Sequence, residues 1–292
     1  MKIEVLLRTM VNWQPTTFLR YVRTVQSSSR TALIETDAGA AYFKAINNPE
    51  GIHILFCDWF GTILANRFGL PTFDVAVLEL TDLDEIPMNG KLSQTGSSFV
   101  ARAEDGITMG GEKALESVTN LADLAKIIVF DTWTKNCDRY APGLGKNGKP
   151  RINLDNLFLS EEGAAKGKFI LKPIDFGHII TCGRELSPRI ADINQIREER
   201  IYGFFPFFKS HVSREQIIEE SSKLSNINSD IWQDLFREIP CDWEISEETK
   251  SAIDRFLKDR ARFLAENFPR LLPIEPQQAE LNFTTEEEND NE

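Results

Sequence analysis

Phe130-Asp-Thr-Trp-Thr-Lys-Asn-Cys-Asp138-Arg139, Asp155-Asn156-Leu-Phe-Leu159 and Ile174-Asp175-Phe176-Gly177-His178 are three short blocks in the middle of a 292-residue chain. Each falls at a junction between expected elements. From about Leu121 to Lys135, apolar residues recur at Leu121, Leu124, Ala125, Ile127, Ile128 and Trp133, which is helical spacing. Asp138 therefore lies just past a helix end, where a loop can present a carboxylate. Leu157-Phe-Leu and Phe169-Ile-Leu read as two short strands joined by a polar turn. Pairing them as a hairpin puts Asn156, at the start of one, beside Asp175, at the end of the other. Gly177 lets the backbone turn sharply after Asp175.

Such a set meets the needs of phosphoryl transfer. That reaction asks for a lysine on the nucleotide phosphates and an aspartate that accepts the acceptor's proton. It also asks for an Asn or Asp with a second Asp to hold magnesium (Mg2+). Lys44 is the candidate lysine. It sits in the second strand of an expected hairpin, in which Asp37-Ala-Gly-Ala40 separates Thr31–Thr36 from Ala41–Ile46. Asp138 is the candidate proton acceptor, and Asn156 and Asp175 are the candidate metal ligands. Asn153 competes with Asn156, which is favoured because it directly precedes the strand. Plainer readings stand beside these. Lys44 alone could be a solvated strand lysine, and Asp138 could cap a helix or pair with Arg139. Asp131 and Asn136 read as braces for the loop, and His178 as structural. Asp-Phe-Gly is common by chance, so its weight lies in its position.

N-terminal to these blocks, residues about 52 to 68 carry one apolar stripe of Leu55, Phe56, Trp59, Ile63, Leu64 and Phe68, ended by Gly69-Leu-Pro71. Val75–Leu80 reads as a strand, and Ser98–Ala101 as another. Beyond a Gly/Lys/Pro-rich loop at Ala141–Arg151 and the two short strands, helical segments are expected near 214–224, 230–237 and 246–267. A sheet-rich part followed by a helical part predicts an α+β fold.

Composition narrows the function classes. Apolar residues are 41% of the chain and Phe occurs 20 times, so an aromatic-rich core is affordable. The formal net charge is -12, and Glu275, Glu280, Glu286, Glu287, Glu288, Asp290 and Glu292 supply much of it. Residues 275–292 are expected to be a disordered acidic tail. The acidity argues against direct nucleic-acid binding, which needs a basic face. Cys57, Cys137, Cys182 and Cys241 are scattered with no C-x-x-C pair, which disfavours zinc and reads as buried reduced thiols of a cytoplasmic protein. His53, His178 and His211 are equally dispersed. The start lacks a signal peptide, and no apolar run approaches a membrane span.

The three blocks, in this order, resemble the HipA-like kinases and, more distantly, the phosphatidylinositol 4-kinase type. Leu64-Ala-Asn-Arg-Phe-Gly-Leu-Pro71 and Ile239-Pro-Cys-Asp-Trp243 are similar to further HipA-like segments. The resemblance spans roughly residues 20 to 270. It implies a two-lobed protein-kinase-like fold with ATP between the lobes: residues 1–102 as the nucleotide-binding lobe and 103–274 as the catalytic helical lobe. It implies Lys44 on the phosphates, Asp138 in catalysis, and Asn156 and Asp175 on Mg2+. Ser27, Ser28 and Ser29 resemble a phosphate-binding loop, where an added phosphate would repel ATP. The strand carrying Phe99 is expected to approach the hinge and the nucleotide. Asp58 stands where relatives usually carry a glutamate that pairs with the lysine. It is one methylene shorter, so a looser or water-bridged pair is expected. The 139–155 loop is longer than in relatives. The implied acceptor is Ser/Thr of a protein, and some relatives are restrained by an antitoxin-like protein partner. The rivals are a small-molecule or lipid kinase of the same fold and an inactive nucleotide-binding module.

Overall fold

Thr36-Asp37-Ala38-Gly39 reverses the chain in the expected hairpin, with Thr36 and Gly39 as closing partners and Gly39 at φ +104°. The computed structural model describes residues 13–25, 27, 29–88 and 90–273. Ser28, the acidic tail and the first twelve residues of the expected N-terminal lobe lie outside these. Strands β1 (Phe18–Thr24), β2 (Ala32–Thr36), β3 (Gly39–Lys44), β4 (Val75–Leu80) and β5 (Gly96–Arg102) form one sheet in the order β1-β2-β3-β5-β4. Its strand pairs are antiparallel. Alternation along β3 sends Ala41 and Phe43 into a small core with Trp13, Ile34, Leu78, Ile86 and Val100. Tyr42 and Lys44 face the other way, as a period of two requires.

On that other face lies α1 (His53–Arg67). The expected apolar stripe is too narrow a description. Residues 54 to 65 are all buried, because the helix is wedged between the sheet and the helical part of the chain. Gly69, at φ +90°, ends it: Gly69 N–H donates to Asn66 O (2.9 Å) and Leu70 N–H to Ala65 O (3.0 Å), a Schellman cap.

The first sheet ends at Arg102. β6 (Gly106–Thr108) belongs to a second sheet of order β10-β9-β6, with β9 (Leu157–Ser160) and β10 (Ile170–Pro173). Between β6 and β9 the long loop folds on itself, β7 (Tyr140–Ala141) pairing with β8 (Arg151–Ile152). The helices are α2 (Asp123–Thr134), the single turns α3 (Ile193–Ile196) and α5 (Leu235–Glu238), α4 (Arg214–Ser222) and α6 (Glu247–Leu271). The segment expected as a helix over 230–237 is a 3-10 turn followed by α5. One aromatic-rich core runs from α1 through α2 to α6, with Phe130, Trp133, Phe176, Trp232 and Trp243 in it.

Two polar fastenings hold this arrangement. Arg260 of α6 is buried and donates to the carbonyls of Thr132 (2.8 Å from Nη2), Ile196 (2.9 Å) and Glu198 (2.9 Å). It thereby ties down the end of α2, where helix carbonyls lack internal partners. Asp242 accepts from Ser97 N–H (2.8 Å) and the Ser97 hydroxyl (2.7 Å), and Trp243 Nε1 donates to Ser97 O (2.8 Å). The Ile239–Trp243 segment thus joins the helical part to β5. Trp243 also meets Trp59 of α1 edge-on.

Candidate active site

Lys44 closes β3 with its ammonium buried and donates to two carboxylates, Asp58 Oδ2 at 2.7 Å and Asp175 Oδ1 at 3.1 Å. The looser or water-bridged pair expected from the shorter Asp58 does not occur; the contact is direct. Two glycines account for it by letting α1 close on the Asp175–Gly177 turn. A Cβ on Gly61 would lie 2.6 Å from Phe176 Cβ, and one on Gly177 would lie 2.6 Å from Ile54 Cγ1. Burial works against the Lys44 charge, but Asp175 and then Asp58 outweigh it and hold its pKa above the ordinary lysine value. Burial raises Asp58 above the usual carboxylate range, against the pull of Lys44. Desolvation pushes Asp175 up as well, yet Lys44, His178 and the Gly177 N–H hold it below the usual range.

Asp175 adopts φ +56°, a left-handed backbone uncommon outside glycine, and its side chain is 34% exposed. The hairpin of β9 and β10 delivers it: Leu157 pairs with Pro173, and Ile174 N–H donates to Asn156 O at 3.0 Å. Asn156 is thereby set next to Asp175 in space, as the sequence spacing predicts.

Asp138 is gripped by both candidate asparagines. Its Oδ2 accepts from Asn156 Nδ2 at 2.9 Å and from Asn153 Nδ2 at 3.2 Å. The two asparagines differ in their oxygens. Asn153 Oδ1 accepts from Asp155 N–H at 3.2 Å, a turn-capping bond. Asn156 is the one hydrogen-bonded to the residue before Asp175.

Arg139 is the hub beneath the site and does not pair with Asp138. Its guanidinium and the Asp131 carboxylate form a fully buried ion pair. It donates to Asn156 O (3.1 Å) and Ile174 O (2.8 Å) and stacks over the Phe176 ring. One side chain so fixes the relative positions of the Asp138 loop, the start of β9 and the end of β10. Asn136 joins the brace through Asp131, donating from Nδ2 at 3.2 Å.

Sequence reasoning missed Arg151. The β7–β8 pairing folds the long loop back and sets Arg151 Nη1 3.5 Å from Asp138 Oδ1, with its side chain 41% exposed. Its signal was faint, a lone arginine after Lys149-Pro150 at the end of a loop whose fold carries no periodicity. The loop therefore has a definite role at its base, beside the carboxylate.

The remaining candidates are placed as follows. Ser27 and Ser29 lie in the β1–β2 turn, at the end of the sheet where Ala32 pairs with Phe43, beside Lys44. Ser27 Oγ accepts from Thr31 N–H (2.8 Å), and the buried Ser29 hydroxyl meets the Thr31 hydroxyl at 3.1 Å. Ser28 is outside the described residues. Phe99 pairs directly with Lys44 across β3 and β5 and is buried in the core, so it walls the site from behind. The strand runs on three more residues to Arg102, and there the chain crosses into the second sheet. The cysteines are all free, but only Cys57 and Cys137 are buried; Cys241 is exposed.

The arrangement can anchor an anion at Lys44, a hard cation between Asp175 and Asn156, and a proton acceptor at Asp138. The model of a family described as HipA-like kinase matches residues 21–162. Among solved structures, a Helicobacter pylori proinflammatory kinase, CtkA, superposes with a TM-score of 0.57 at 10% identity, covering 89% of this chain and 98% of that one. No curated protein matches this chain. The family match supports a kinase and bears out, on residues 21–162, the similarity of this chain to the HipA-like kinases, and the superposition bears out the two-lobed fold.

Proposed function

We propose that the protein transfers the γ-phosphoryl group of ATP, with Mg2+, to a hydroxyl, and that the acceptor is a serine or threonine of a protein. One observation carries the reading. Lys44, Asp175, Asn156 and Asp138 come from four separate stretches, yet Lys44 bonds Asp175, Asn156 bonds Asp138, and the Ile174 N–H to Asn156 O bond sets the two pairs side by side. Structural ion pairs do not require the Asn156–Asp138 link.

The residues fit a magnesium ion. Asp175 and Asn156 offer oxygen donors, and Mg2+ is held by one or two protein oxygens together with substrate phosphates. When bound it would offset charge on the phosphates. Lys44 would hold the nucleotide phosphates, kept charged and aimed by Asp58. Asp138 has its Oδ2 engaged by two amide groups, so Oδ1 is the atom that accepts the acceptor's proton. Arg151, beside Oδ1, would place positive charge where the transferred group passes.

The protein acceptor rests on the family resemblance. Phosphoproteomics of cells expressing the wild type beside Asp138→Ala tests it. Serine or threonine sites that rise only with the wild type support it; an unchanged phosphoproteome together with a phosphorylated small molecule would overturn it.

A further inference from the structure

Cys137 and Cys182 are distant in sequence, yet the fold brings them into one neighbourhood. Cys137 immediately precedes Asp138. Cys182 lies in the segment after Asp175-Phe-Gly. Both pack with Ala141, Leu144 and Tyr202 in a small cluster of their own. Each sulfur is also held from its own side. Cys182 Sγ donates to Lys135 O at 3.7 Å, and Cys137 Sγ accepts from Arg151 Nη1 at 3.8 Å.

The backbone is arranged to bring them together. Ile180 (φ +67°) and Cys182 (φ +56°) are both left-handed, which is costly for a β-branched residue. Ile180 N–H donates to Thr134 O at 2.6 Å, fixing the segment to the end of α2. Strain of this kind persists only where the surroundings impose it, and here its product is the thiol pair.

We infer that Cys137 and Cys182 form a reversible disulfide under peroxide, and that this bond suppresses phosphoryl transfer. Cys182 is the partly exposed member and Cys137 the buried one, so a hydroperoxide meets Cys182 first. Cys137, with Lys135, His178 and Arg151 nearby, holds Cys182 below the usual thiol range despite burial. The reactive species is the thiolate. Its sulfur attacks one peroxide oxygen: an S–O bond forms, the O–O bond breaks, and the departing hydroxide takes a proton to become water. Cys182 is then a sulfenic acid. Cys137 gives up its proton and attacks that sulfur. The S–S bond forms, the S–O bond breaks, and the second oxygen leaves as water. Two thiols are oxidised, and one hydroperoxide accepts two electrons. A dithiol reverses the change by exchange.

Thiols in non-bonded contact must draw closer by more than about 1 Å to reach the S–S bond length of roughly 2.05 Å. The movement falls on the residue next to Asp138 and takes the Cys137 sulfur from Arg151. Misplacing a catalytic group by about 1 Å can cost on the order of 100-fold. Lys44 and Asp175 hang from β3 and β10, so nucleotide affinity is spared. The suppression rests on the kinase reading; the cross-link does not.

The test treats full-length protein with hydrogen peroxide, blocks remaining thiols with iodoacetamide and maps peptides by mass spectrometry. The same samples are assayed for magnesium-dependent ATP turnover and nucleotide affinity. The expected result is a Cys137–Cys182 linked peptide that dithiothreitol removes. Turnover should fall at least about tenfold and recover on reduction, with nucleotide affinity changed less than about threefold. Cys182→Ser should turn over ATP normally before and after peroxide. Full alkylation of both cysteines after peroxide would overturn the disulfide. A linked peptide with undiminished turnover would overturn its effect. A linked peptide in a protein that never turns over ATP would leave the disulfide standing and sink the kinase reading.

Discussion

Asp58 shows how much a single methylene decides. The family resemblance marks the position as one for glutamate, and residue type alone suggests a gap beside Lys44. The gap is absent because Gly61 and Gly177 let α1 approach until the shorter carboxylate reaches the ammonium at 2.7 Å. A Cβ at Gly177 would already lie 3.3 Å from Asp58 Oδ2. Asp58→Glu should therefore overpack, losing about 1–3 kcal/mol and weakening nucleotide binding. Thermal denaturation and ATP titration check this; a Glu variant as stable as the wild type and tighter for ATP would contradict it. The roles proposed for Lys44, Asp138, Asn156 and Asp175 follow from chemistry local to each block, which is why their candidacy was legible in the sequence. Arg151 and the thiol pair were not, because a two-residue strand pairing and a left-handed kink bring them in, and neither leaves a periodic trace.

Elements with strong periodicity or plain turn chemistry were read well: the β2–β3 hairpin, β4, α2 and the β9–β10 pair. Those set by tertiary context were missed. β1 is largely exposed, β6 has three residues, and the 230–237 region is shaped by Ser229 and Trp232 donating to Asp254 of α6. Two element contacts yield measurable consequences. Arg260 satisfies carbonyls at the end of α2 and near α3, so Arg260→Leu leaves buried acceptors unpaired. It should lose about 3–5 kcal/mol in denaturant unfolding, and an unchanged midpoint would remove α6 from that role. Asp242 is pushed up by desolvation, but the Ser97 N–H and hydroxyl hold its pKa below the usual carboxylate range. A depressed carboxylate contributes stability that is present above its unfolded value, about pH 4, and is lost as pH falls through its folded value. The melting temperature of the wild type should exceed that of Asp242→Asn at pH 6, and the difference should shrink as pH falls below about 4. A difference constant with pH would show that the carboxylate charge does not join the two parts.

At the scale of the whole molecule, a sheet and a helical body share one core and face each other across Lys44 and Asp175, so a ligand that bridges them stabilises both. Magnesium-ATP at 100 times its dissociation constant should add about 2.7 kcal/mol, a rise in melting temperature of roughly 5–10 °C for a body of this size. Chelation of the metal should remove most of it. The two-part architecture was readable in the sequence, because sheet and helix patterns are segregated along the chain. How closely the parts approach was not readable, since it depends on which side chains are absent at Gly61 and Gly177. The measurement that bears most directly on the central claim is magnesium-dependent phosphoryl transfer from ATP by purified wild type and Asp138→Ala, with nucleotide affinity measured on the same samples. The proposal predicts transfer in the wild type, a fall of roughly 100- to 10,000-fold in Asp138→Ala, and near-equal nucleotide affinity in the two. Equal transfer by both proteins, or none by a wild type that binds magnesium-ATP, would contradict it.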